Sequence, residues 1–222
     1  MRGVTVECPR TLIFFGARAR TSAAAFFDCA FDCNLSVEAD ATVSLDRCEV
    51  RRGVQVLEHD VTRGGARLVA ENCEFNPAAE VPSATMLSLD VSLLVEGARA
   101  EANLARCVFR DPRDDAADNS ENFNLAVLVR SLSSCTLEDT RILGFHHAVI
   151  VNGARCEAKR CDFRGSVETL SCIQGGTIDF SEKCALDATR AIDISARISA
   201  TLGVEPGTVT FSDDTTRTVA PG

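Results

Sequence analysis

The 222 residues are 45% apolar and 25% charged, enough to close one sizeable core and too balanced for a disordered chain. No apolar run approaches the roughly 18 residues of a membrane span, and the stretch 11–15 is shorter than the core of a secretory signal, so the chain reads as soluble, unprocessed and intracellular, in the cytoplasm. A formal charge of −9 without Trp or Tyr supplies no basic, aromatic-studded stripe for nucleic acid, and eleven cysteines, an odd number, point to reduced thiols rather than a disulfide scaffold.

From the N-terminus onward a short β-type unit recurs in degenerate form. Its marker is Cys29 in FFDCAF, then Cys48 in ATVSLDRCEV, Cys73 in ARLVAENCEF, Cys107 in ARAEANLARCVF, Thr140 in SCTLEDTRIL and Cys161 in ARCEAKRCDF. Two residues on stand Phe31, Val50, Phe75, Phe109, Ile142 and Phe163, the step that returns a strand residue to the same face. Five and three residues before the marker stand Val43 and Leu45, Leu68 and Ala70, Ala102 and Leu104, Cys135 and Leu137, and Cys156 and Ala158, which are also expected to point inward. Three residues rather than two part that run from the marker, so the phase slips as it does at a bend. A third β-type run precedes each unit, at 54–56, 87–95, 125–129, 148–151 and 169–173. The tripeptide Gly-Ala-Arg accompanies the pattern at Gly16, Gly65, Gly97 and Gly153. Three short strands and a glycine corner make one coil of a parallel β-helix.

Successive markers are 19, 25, 34, 33 and 21 residues apart. The two long steps hold NPAAEVPSAT at 76–85 and DPRDDAADNSENF at 111–123, rich in loop-forming residues, and both follow the Cys-x-Phe strand, so both are expected to leave from one corner. Beyond GGTIDFSEKCAL, which places Cys184 and Leu186 near the two columns, residues 185–202 fit a helix stripe and a strand alternation equally. A solenoid needs its open end covered, and residues 185–222 are expected to be that cap.

This pattern resembles the right-handed parallel β-helix superfamily, the pectin-lyase-like fold with its short repeats, and GGARLVAENCEFN is similar to the repeats of β-helical adhesins. The resemblance covers roughly residues 10–186 and implies an all-β, single-stranded, right-handed parallel β-helix of about seven rungs with terminal caps, one domain over 1–222. The superfamily includes polysaccharide lyases and glycoside hydrolases, adhesins, particle spikes and intracellular interaction domains, so the fold leaves activity open.

The expected function is a non-catalytic structural or interaction module without cofactor, part of a larger assembly, which meets a protein partner or copies of itself through 76–85 and 111–123 and neither nucleic acid nor membrane. The other reading is a carbohydrate-active enzyme. Enzymes of this fold use carboxylates gathered on neighbouring rungs, acidic metal ligands and an Arg or Lys base. Candidates are Asp111, Asp114, Asp115 and Glu121, with Arg110 and Arg113 nearby, and His147 or His146 as general base. As neighbours in a strand the two histidines would face opposite sides. The marker cysteines read as small apolar filler, with Cys156 and Cys161 as half of a metal site in the other reading. Asp28, Arg47, Asn72, Arg106, Asp139 and Arg160, each just before the marker, are expected to form an outward, salt-bridged stack.

Overall fold

Period-2 alternation is met first in β4 (Ala41–Asp46), β7 (Arg67–Glu71), β10 (Glu101–Ala105), β13 (Ser134–Glu138), β16 (Arg155–Lys159) and β18 (Thr177–Ser181), where every second side chain is buried. A computed structural model describes residues 1–15, 22–58, 65–76, 90–111 and 124–219. In it these strands join β2 (Ser22–Phe27) and β20 (Thr208–Phe211) in one eight-stranded, all-parallel sheet, the first wall. Val43, Leu68, Ala102, Cys135 and Cys156 are successive Cα partners, and so are Leu45, Ala70, Leu104, Leu137 and Ala158. Both columns are those expected from the sequence.

The corner that ends each of these strands explains the phase slip. Asp28, Arg47, Asn72, Arg106, Asp139 and Arg160 sit there at φ between 49° and 55°, the left-handed region that residues with a Cβ enter at a cost of about 1–2 kcal/mol. The hydrogen-bond ladder nevertheless passes through the corner. Arg47 N–H donates to Glu71 O at 3.0 Å, and the carbonyl of Cys48 accepts from Glu74 N–H at 2.9 Å. The marker side chain supports the same turn. Cys29, Cys48, Cys73, Cys107 and Cys161 point Sγ at the carbonyl two residues back at 3.2–3.4 Å, and Thr140 Oγ1 does so at 3.0 Å. In return the thiol accepts from the coil before it, Cys48 N–H to Cys73 Sγ at 3.4 Å and Cys161 N–H to Cys184 Sγ at 3.3 Å. A short side chain with one polar γ atom meets all of these needs, so Cys and Thr share the column.

Beyond the corner run β5 (Glu49–Val50), β8 (Glu74–Phe75), β11 (Val108–Arg110) and β14 (Arg141–Leu143), with the first halves of β3 (Ala30–Glu38), β17 (Asp162–Ile173) and β19 (Ala185–Asp193). This second wall buries Phe31, Val50, Phe75, Phe109, Ile142, Phe163 and Leu186, and the rings of Phe75 and Phe109 stack at 4.5 Å. The third wall holds β6 (Val54–Leu57), β9 (Asp90–Glu96), β12 (Asn124–Arg130), β15 (His147–Asn152) and the second halves of β3 and β17. Because the long strands run through the bend, the second and third walls form one 13-stranded sheet, with β1 (Thr5–Phe15) on β3 and β21 (Thr216–Val219) on β19. All of the named strands pair in parallel, and the architecture is a parallel β-helix. Ser92, Ala126, Ala148 and Thr169 of the third wall are fully buried although Leu93, Val127, Val149 and Leu170 beside them fill the core, which accounts for the near-continuous apolar runs in these strands.

The two insertions lie outside the described residues except for Asn76 and Asp111. β8 and β11 before them are paired, and so are β9 and β12 after them. Both insertions therefore leave and rejoin at one corner on neighbouring coils, as expected. The ambiguity at 185–202 resolves into both structures, strand to Asp193 and then α1 (Ser195–Leu202), the one helix among the described residues. Asp193 Oδ1 accepts Ser195 N–H at 2.9 Å to start the helix, and Gly203 at φ 67° ends it. The helix buries Ser195 and Ser199 while Leu202 is exposed. No helix among the described residues is long and apolar enough to cross a membrane.

One repeat signal proved out of register. Gly65 and Gly153 both enter a first-wall strand, whereas opposite Gly65 stands Arg99, whose carbonyl a Cβ on Gly65 would meet at 1.9 Å. The Gly-Ala-Arg at Gly97 is thus shifted by two residues against those at Gly65 and Gly153, while the apolar and cysteine columns keep true register.

Cys73→Ala removes the acceptor of a buried amide and should cost about 1–3 kcal/mol, whereas Cys73→Thr, which copies Thr140, should cost less. Chemical denaturation of both variants measures the difference, and equal losses would refute the polar role of the corner thiol.

Candidate functional site

The bend between the second and third walls has no fixed length, and its backbone is satisfied by side chains. Asn34 Oδ1 accepts Gly53 N–H at 3.1 Å, and three coils on Asn124 Oδ1 accepts His146 N–H at 2.6 Å. At the roots of the second insertion and on the coils beyond it, buried polar residues accumulate. Asp111, Asn124, His146, His147, Ser166 and Glu168 are all buried, and Asn124 Nδ2 and Ser166 Oγ have no hydrogen-bond partner among the described residues.

Each is placed by the ladder. Asp111 N–H donates to Leu143 O at 3.1 Å, Glu168 N–H donates to His146 O at 2.9 Å, and His147 is the Cα partner of Leu125 on one side and Glu168 on the other. The expectation that the histidines face opposite sides fails here. Gly144 at φ 76° starts a bend through residue 146, β15 begins only at His147, and the two rings meet edge to face at 4.5 Å. His147 Nδ1 lies 3.2 Å from the carbonyl of Glu168, which can only accept, so the proton is on Nδ1 and the Nε2 lone pair is the basic one. Glu168, its carboxylate almost wholly buried, pairs with Arg197 of α1. Burial lowers the basicity of both histidines, with Arg190 adding to the effect on His146 and the His146 ring to that on His147, while Glu168 opposes it for each.

Of the residues singled out in the sequence, Asp111 and His147 come to the same bend on neighbouring coils. Asp111 is buried rather than part of a solvated run, because the chain is still in the ladder at that position. Asp114, Asp115, Glu121 and Arg113 lie outside the described residues, and Arg110 is exposed at the end of β11. Asn124, Ser166 and Glu168 were missed. The one signal in the sequence was polar residues standing where the third run should begin.

Cys156 and Cys161 occupy different walls. Cys156 lies between Cys135 and Ile178 on the first wall, while Cys161 turns the corner and directs Sγ at Leu137 O and Lys159 O, both at 3.3 Å. Among the described residues no group of three or more His, Cys, Asp or Glu is arranged to hold a metal ion. All eleven thiols are free, and only Cys8 is less than fully buried. Cys73 is pushed up to about 12, chiefly by its hydrogen bond with Cys107, and Cys172 up to about 12 by burial. Cys184 moves down through its hydrogen bond with Cys161, but at 1% exposure no reagent meets it in the folded chain.

Two surface features complete the inventory. The stack before the marker is ion-paired as expected, Arg47 to Asp28 at 2.6 Å and Arg160 to Asp139 at 2.8 Å, and Arg160 also to Glu138 and Glu182. An open groove of about 300 Å³ runs over the turns that lead back to the first wall, between Glu96, Arg130, Ser131, Asn152, Gly153 and Gln174, with Arg130 and Glu96 paired at 2.7 Å. The chain matches no protein-family model, no curated protein and no solved structure.

A thiol titration should show one fast cysteine, Cys8, in the native protein and the other ten only on unfolding. Several fast thiols would contradict the buried column. The histidines add a pH dependence. Their folded values lie below the ordinary 6.5, so the unfolded chain binds their protons first, and stability is undiminished above pH 6.5 and falls as pH drops below it. Asp28 and Asp139, lowered by their arginines, take up protons only at lower pH. Melting temperature should therefore fall as pH drops below 6.5, and His147→Gln should make that fall shallower.

Proposed function

We propose that the chain is a non-catalytic structural or protein-interaction module, a rigid β-helix that presents two neighbouring loops to a protein partner in a larger assembly. The observation that carries this reading is the rooting of both insertions at one corner on adjacent coils, between strands that are themselves paired. Loops so anchored share one rigid base, the arrangement by which a solenoid offers a composite binding surface. The ion-paired outer stack and the buried thiol columns need no role beyond holding that base. Membership of the pectin-lyase-like superfamily belongs to the same proposal and is supported by the repeat pattern and the parallel coils.

The enzyme reading has the bend with Asp111, His146, His147 and Glu168 as its best location. Those groups are engaged with the ladder, with one another or with α1, and the interaction reading asks less of them.

Asn76 N–H donates to Val50 O at 2.8 Å and Asp111 N–H belongs to the ladder, so a test should replace 77–85 and 112–123 and keep those two residues. With short Gly/Ser linkers in both places the chain should keep its melting temperature and its single fast thiol, and lose whatever protein co-purifies with the parent from its native source. Retention of that partner by the doubly replaced chain would overturn the loop-mediated reading. Sustained turnover of an acidic polysaccharide, lost in His147→Gln, would overturn the non-catalytic one.

A further inference from the structure

The two ends of the solenoid are finished differently. At the C-terminal end the outermost strand, β21, is four residues long and exposed throughout, and Arg217 stands 4.6 Å above the ring of Phe211. A short, Thr-rich, charged edge is the usual protection against strand addition. At the other end residues 1–3 cover part of β2, with Phe27 N–H donating to Met1 O at 2.9 Å and Gly3 N–H to Phe27 O at 3.0 Å. β1 has no such cover. It pairs with β3 on one side, and no strand among the described residues lies on the other.

β1 is broken by a register shift between Glu7 and Thr11, and the half beyond the shift, Thr11 to Phe15, contains no charge. Leu12 and Phe14 face the core and are only partly buried, and Ile13 and Phe15 face outward at 55% and 53% exposure. Met1, Val4 and Phe27 add exposed apolar surface at the same end. An uncharged, β-prone free edge flanked by apolar side chains is a pairing surface.

We propose that this edge is the contact through which two copies of the chain associate, β1 against β1 in antiparallel pairing about a two-fold axis at Ile13. The occupant follows from what the edge demands. It must bring a row of free backbone donors and acceptors together with apolar side chains, and the same five residues bring both. A two-fold axis makes the edge its own partner, with Ile13 facing Ile13, the large Phe15 facing the small Thr11, and Leu12 facing Phe14 on the core side. No charge falls in the paired stretch, so the axis juxtaposes no like charges. Head-to-tail stacking onto β21 would instead press the Arg217 cation against the apolar core of the next copy without a counter-charge. The contact uses neither insertion, so it stands or falls separately from the loop-mediated reading.

Sedimentation velocity over about a hundredfold range of concentration tests it. The parent should sediment as a dimer that dissociates on dilution. Ile13→Lys/Phe15→Lys should weaken association at least about tenfold with the thiol titration unchanged, because both side chains are exposed in the monomer. Val219→Lys at the opposite end, and replacement of both insertions, should leave the dimer intact. A second readout does not depend on that double variant folding. Under a mild oxidant such as oxidised glutathione, Ile13→Cys should form an intermolecular disulfide across the axis, two thiols being oxidised and glutathione reduced, in much greater yield than the parent with its half-exposed Cys8 or a Leu132→Cys control. A parent that is monomeric throughout, a dimer that survives Ile13→Lys/Phe15→Lys, a dimer lost on removal of the insertions, or an Ile13→Cys yield no higher than the controls would each overturn the proposal.

Discussion

The left-handed residue followed by a buried thiol is the constraint on which the other features of this chain depend. A coil can stack on its neighbour only if the hydrogen-bond ladder survives the turn out of the first wall, and the turn is made by Asp28, Arg47, Asn72, Arg106, Asp139 and Arg160 in a conformation that residues with a Cβ avoid. The ladder on both sides of that residue, the ion pairs along its outward side chains and the γ atom of the next residue all act to hold it there. The γ atom must be small enough for the narrow interior and polar enough to serve an amide and a carbonyl. Thr140 in a column of cysteines shows that polarity and size, rather than sulfur chemistry, select the residue.

Much of this was legible in the residues, for a physical reason. Both walls that flank the corner alternate with period 2 against a core that no inward residue can leave, so the columns through Val43, Leu45 and Val50 could be written down and proved to be the Cα partners. The slip of phase announced a corner. Its conformation was only half announced, since Arg47, Arg106 and Arg160 carry no mark of positive φ as glycine would, whereas Asp28, Asn72 and Asp139 are of types that enter it more readily. The polar duty of the thiols was also hidden, because a cysteine that fills space and one that serves a backbone amide look alike in a sequence. Gly-Ala-Arg misled at Gly97 because glycine answers to any local crowding, here the Cβ of Glu58 at 2.5 Å from where its own would stand, and crowding need not recur in register.

The bend between the second and third walls was the least legible part, and it is where the buried polar residues gather. The first corner has one geometry, and a small side chain with a polar γ atom, Cys or Thr, serves each coil there. At the bend the long strands run through, other coils turn, and two carry insertions, so no single side chain can recur. Each coil meets its loose backbone groups with what it has, Asn34 in one, Asn124 and the histidine pair in others. Irregular spacing and buried polarity are thus two results of one cause. A cluster of titratable groups arising in this way has a structural origin sufficient in itself, which is why the insertions rooted beside it, rather than the cluster, carry the functional proposal.

Nearest-neighbour stacking also sets how stability is distributed. An inner coil is held by a ladder on each side, whereas the first has one, and in a solenoid each interface contributes separately. β1 is therefore the part of the fold nearest to opening, and its half-buried Val6, Cys8, Leu12 and Phe14 reflect a core end left uncovered by the described residues. The C-terminal end meets the same difficulty with α1, whose Ser195 Oγ takes the amide of Cys172 at 2.8 Å in place of a further strand. Nothing equivalent precedes β1 among the described residues. A second copy on that edge supplies the missing ladder and covers Leu12 and Phe14, so that association and the ordering of the first coil become one linked equilibrium.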